Sequence, residues 1–232
     1  MSEAMSVNKI LKGQMTREEL VNELGHQLVT FDRVVPSPGL SSGWPKLDRY
    51  LLWQGFPKSA LSLMVSEGGG ATTLWMRMAA LITQKGQKAA WMNNDQTSLT
   101  PWGLKHRGVD LSKLLVVSAT TSGKQTLWAL QELMSLCLFE TIGCDLGRES
   151  WREHEILKLK KLAMRYQTAL VFITRASHVY RSSQYSLILH FGRDHVSVDR
   201  ALHRPTPHTI ERKDLYADTL PQLAAGRRAL CG

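Results

Sequence analysis

Short apolar runs alternate along the chain with stretches in which apolar residues recur every three or four positions. Residues 60–65 form a compact apolar run that predicts a buried strand. Beyond it, Leu74, Met78, Leu81 and Ile82 make one face of a helix that Gly86 is placed to end. Further strands are predicted at 89–93, 114–119, 136–139 and 169–174, with helices at 125–134 and 151–166. Ser150 and Glu153 have the spacing of a capping box for the second of these helices. Residues 185–191 and 195–200, joined by Gly192-Arg193-Asp194, read as a terminal hairpin. Near the start, Thr16 and Glu19 form another capping box, and Leu20, Val21, Leu24 and Leu28 follow at helical spacing. Residues 34–44, rich in proline, glycine and serine, read as a linker and turn.

Strands separated by helical segments imply crossover connections, and hence an α/β fold with a mostly parallel sheet and helices on both faces. The organisation expected is an N-terminal helix and linker over 1–40, a core domain over 41–204, and a basic C-terminal tail over 205–232. At 232 residues the chain is long enough for one substantial core. No apolar run approaches the roughly 20 residues of a membrane span, and the first residues lack a secretory pattern, so a soluble, cytoplasmic protein with no membrane partner is expected. Cys137, Cys144 and Cys231 show no metal-ligand spacing, and reduced thiols are the expectation. Residues 1–147 hold 14 Lys and Arg against 12 Asp and Glu, whereas 148–232 hold 15 against 8. The positive field therefore belongs to the C-terminal part, where it can steer a polyanion or an acidic surface.

The candidate chemistry lies in Ser66-Glu67-Gly68-Gly69-Gly70-Ala71-Thr72-Thr73, a glycine loop between a strand and a helix. Such a loop points backbone N–H groups at phosphate oxygens, and the helix N-terminus adds partial positive charge. A working phosphate loop also needs a lysine immediately before the Ser/Thr that binds magnesium. Ala71 stands in that place, before Thr72, and the first glycine of the motif falls on Val65. The degenerate loop Glu67, Gly68, Gly69, Gly70, Ala71, Thr72 and Thr73 is therefore expected to hold no nucleotide, and no cofactor or metal is expected.

Three segments, taken in order, resemble the core of the RecA recombinase family. They are Ser41-Ser42-Gly43-Trp44-Pro45-Lys46-Leu47-Asp48, then Gly55-Phe56-Pro57, then Gly70-Ala71-Thr72-Thr73-Leu74. Pro101 followed by Gly108-Val109-Asp110-Leu111-Ser112-Lys113-Leu114-Leu115 resembles the family's segment between its second and third core strands. The likeness spans residues 41 to 174 and implies a RecA-like fold. It places Gln96 where the family has the glutamate that activates water, with Asp95 adjacent, and Glu140 where it has the magnesium-organising aspartate. Both positions read as vestigial. The γ-phosphate sensor falls in the Thr174-Arg175 region, where no glutamine or asparagine stands. The family's DNA-binding loops match 143–148 and 175–181, and Arg175, His178, Tyr180 and Arg181 are the residues suited to phosphates and a stacked base.

A short chain with a ruined phosphate loop is most similar, among RecA-like families, to the ImuA accessory proteins of bacterial mutagenic translesion synthesis. That resemblance implies a non-catalytic role in SOS-induced DNA repair, with a translesion polymerase-like protein of the ImuB type and RecA as partners, and weak, sequence-independent DNA contact. A SulA-like cell-division inhibitor is the alternative, and a weak ATPase using Asp95 and Glu140 is the enzymatic one. Most of the seven tryptophans are expected in the core or partly buried, with one or two exposed as partner anchors.

Overall fold

The chain divides into two units, Met1–Ser37 and Pro38–Gly232. A computed structural model describes residues 39–66, 69–93, 99–118, 123–147, 151–175, 183–201 and 208–217, all within the second unit. The predicted N-terminal helix lies outside the described residues.

Helix α1 (Pro45–Tyr50) leads into β1 (Leu61–Ser66), α2 (Ala71–Gln84), β2 (Lys88–Asn93), α3 (Pro101–His106) and β3 (Leu114–Ser118). Then follow α4 (Gly123–Ser135), β4 (Phe139–Gly147), α5 (Glu153–Tyr166) and β5 (Ala169–Thr174). Strands β6 (Leu187–Phe191), β7 (His195–Ala201) and β8 (His208–Glu211) and helix α6 (Arg212–Ala217) complete the described elements. The strands form one sheet in the order β3-β2-β4-β5-β1-β6-β7-β8. The first six in that order run parallel, and β7 and β8 join antiparallel at one edge. The α/β class, the mostly parallel sheet and the hairpin are as the periodicity predicts.

Alternation along the buried strands sends side chains to two cores. On one face Met64, Trp91, Val171 and Ile173 pack with Leu74, Trp75 and Met78 of α2, and with Leu47 of α1 and Leu215 of α6. On the other, Leu63, Val65, Met92 and Phe172 pack with Leu130 and Leu133 of α4 and with Ile156 and Leu159 of α5. Helices thus cover both faces. Helix α2 ends where expected, with Gly86 N–H donating to Thr83 O (2.9 Å) and Gln87 N–H to Ile82 O (3.2 Å).

Three expectations change. Of the strand expected at 136–139, residues 136–138 are not strand: α4 runs to Ser135, Cys137 takes a left-handed φ of 52°, and Leu136 and Leu138 are exposed. The strand begins at Phe139 and runs through 143–147, so that segment is not a loop. Helix α5 begins at Glu153, and the carboxylate that caps it belongs to Glu155, which accepts from the N–H of Arg152 (2.8 Å). The expected tail from 205 contains β8, paired with β7, and α6.

Helix α2 approaches the sheet closely because Gly143 has no side chain. A Cβ there would collide with the rings of Trp75 and Trp91, which meet at a tilt of 48° with 4.5 Å between centroids. Gly143→Ala is therefore expected to lower the unfolding free energy by about 1–3 kcal/mol, measured by urea denaturation. An unchanged midpoint and slope would contradict the close approach.

The turn before α1 is tied by a carboxylate. Asp48 accepts from Ser42 N–H (3.0 Å) and from the Ser41 hydroxyl (2.7 Å), and Arg77 of α2 donates to Gly43 O (2.8 Å). Burial pushes the Asp48 pKa above its ordinary 3.8, against the opposing hydrogen bonds from Ser42 and Ser41. A raised folded-state pKa means that the folded chain binds this proton more readily than the unfolded chain. The resulting stabilisation is full at acidic pH and is lost as pH rises through the raised value. Relative to Asp48→Asn, the wild type should lose stability as pH is raised above 3.8. Paired thermal melts across that range check this, and a wild type that gains stability over the asparagine variant as pH rises would contradict it.

Candidate functional site

The site is the glycine turn between β1 and α2. Strand β1 lies between β5 and β6, so its C-terminal end opens at the middle of the sheet's upper rim. In open α/β sheets that rim is where ligands bind. Gly70 caps α2 with a left-handed φ of 103°, a conformation that side-chain-bearing residues rarely adopt. Gly69 is exposed and Thr72 and Thr73 are half-buried. Ala71, at the lysine position, is fully buried in the α2-side core. Glu67 and Gly68 lie outside the described residues.

A cation does reach this turn, from elsewhere in the chain. Arg212, the first residue of α6, donates from Nη2 to Gly69 O (2.7 Å). Its Nη1 donates to Gly192 O (3.1 Å) and Arg193 O (2.9 Å) in the β6–β7 turn. The backbone N–H of Arg212 donates to Asp194 O (2.8 Å). A Cβ on Gly70 would collide with Nη2 of Arg212 and touch the Phe191 ring, so only glycine leaves room for the guanidinium. This contact is the opposite of the one a phosphate loop makes. A phosphate loop aims N–H groups at an anion, whereas here the Gly69 carbonyl is aimed at a cation. Hydrogen bonds to a charged donor contribute about 1.5–3 kcal/mol each when well formed, and the half-buried position of Arg212 reduces that by solvent screening.

The expected magnesium residue moves as well. Glu140 is the second residue of β4, at the end of the sheet opposite the glycine turn, where it accepts from Gln87 Nε2 (2.9 Å). It cannot act at the loop, and the reading of Glu140 as vestigial metal ligand is corrected. The carboxylate at the correct end of that strand is Asp145, beside Ile173 of β5 and buried to 5% exposure. Asn93 ends β2 on the same rim and accepts from Trp91 Nε1 (2.7 Å). Thr174 is the buried last residue of β5, and Arg175 follows it, exposed. Gln96, Asp95, His178, Tyr180 and Arg181 lie outside the described residues. Among the described residues no group of three or more His, Cys, Asp or Glu is placed to hold a metal ion.

Asp145 was hidden from pattern reading because Glu140 and Gly143 interrupt the apolar alternation of its strand. The available signal was Ser135-Leu136-Cys137-Leu138, which continues the preceding helical stripe beyond its last buried turn. Arg212 had no local signal, since its partners lie about 20 and 143 residues away. Trp44, Trp75 and Trp91 are buried, while Trp102 (75%) and Trp128 (64%) are exposed, matching the expected division of the tryptophans.

The sequence matches no protein-family model, and no curated protein matches it. Among the described residues no helix is long and apolar enough to cross a membrane.

Proposed function

We propose that this chain is a non-catalytic RecA-like accessory protein of SOS-induced translesion DNA synthesis, acting by contact with a recombinase and with a translesion polymerase of the ImuB type. The observation that carries the reading is the glycine turn, which lacks the phosphate-binding lysine at Ala71 and turns a carbonyl toward Arg212. The residues present do not fit a magnesium nucleotide. The sheet, with its parallel strands and antiparallel edge, is compatible with a RecA-like core.

A strand-adding partner has a suitable place to dock. Strand β3 is the other edge of the sheet, and its sequence Leu114-Leu115-Val116-Val117-Ser118 carries no charge, proline or glycine. Leu115 and Val116, on opposite faces, are 42% and 40% exposed. Natural edge strands are ordinarily blunted by such residues, and an open edge offers unpaired backbone groups to a partner's strand.

Capture of purified host recombinase and translesion polymerase by the immobilised full chain tests the proposal. At least one should be retained, and Val116→Lys, which places a charge on the open edge, should weaken retention roughly tenfold. Capture of neither overturns the reading. Retention of a tubulin-like division protein instead would favour the division-inhibitor alternative.

A further inference from the structure

Residues 208–217 form a short strap with few means of holding itself in place. Strand β8 has four residues and, among the described residues, pairs with β7 alone. Helix α6 has six residues, too short to be stable by its own hydrogen bonds. The strap nevertheless buries Ile210 and Leu215 in the core that contains Phe191, Val196 and Val198. Between these two residues stands Arg212, whose guanidinium spans two separate turns.

We propose that the glycine turn and the β6–β7 turn together form a guanidinium receptor, which the chain fills with its own Arg212 to latch the strap shut. Among the described residues the receptor presents three backbone carbonyls, those of Gly69, Gly192 and Arg193, with room left by the missing side chain of Gly70. Its ligand class follows from that geometry. Carbonyl oxygens accept but do not donate, so an anion is refused. A planar guanidinium reaches acceptors in different directions at once, whereas the ammonium of lysine is a compact point charge on a flexible stem. The strap covers the apolar flank of β6 and β7 while its arginine occupies the glycine turn, so release of one group uncovers both surfaces. This inference stands on the Arg212 geometry and does not depend on the identity of any partner.

Hydrogen exchange read by mass spectrometry on the full chain tests it. In Arg212→Ala, amides of 208–217 should exchange roughly tenfold faster than in the wild type, while β1 and β5 keep their protection. Arg212→Lys keeps the charge but not the planar fork and should loosen the strap nearly as much, which provides the same reading if the alanine variant does not fold. A strap equally protected without the arginine overturns the proposal. So does a lysine variant whose strap is as protected as that of the wild type.

Discussion

A single guanidinium held by carbonyls of two turns is the contact on which the chemistry of this protein turns. Because Arg212 bridges Gly69 to Gly192 and Arg193, the loop that would face a phosphate faces a cation of its own chain. The contact requires a glycine at position 70, a hairpin turn beside β1 and a strap that returns across the sheet edge. Each is supplied by a different part of the sequence.

The rest of the upper rim is arranged around that closure. Gly143 lets α2 sit close to the sheet under Trp75 and Trp91, which fixes the helix whose first residue is the buried Ala71. A charged lysine in that apolar position would have to reach out of the core or lose its charge. Asp145 stands near the C-terminal end of β4 at the rim, buried within the sheet. The glycine turn therefore lies at the strand ends of a mostly parallel sheet, with its Gly69 carbonyl bonded to Arg212. Among the described residues the opposite edge, where β3 is apolar and half-exposed, and Trp102 and Trp128 leave apolar surface open to solvent.

The fold was legible where periodicity was unbroken. Strand β5 is all apolar apart from its final Thr174, and it lies where its residues predict it. The hairpin of β6 and β7 follows from the Gly192-Arg193-Asp194 turn between two alternating runs. Strand β4 was misplaced because Leu136 and Leu138 look like core yet lie exposed beyond the helix, while Glu140, Gly143 and Asp145 make the true strand look polar. That Ala71 stands where a phosphate loop needs a lysine is readable in one line of sequence. The contact of Arg212 with the turn is not, because no local pattern links a strap residue to a turn 143 residues earlier.

Calorimetric titration of the full chain with magnesium ATP tests the central claim most directly. A glycine turn that directs a carbonyl at Arg212 and lacks the lysine should give no saturable heat, and the protein should release no phosphate from ATP. A dissociation constant in the micromolar range, with turnover abolished by Asp145→Ala, would contradict the account and make this chain an enzyme.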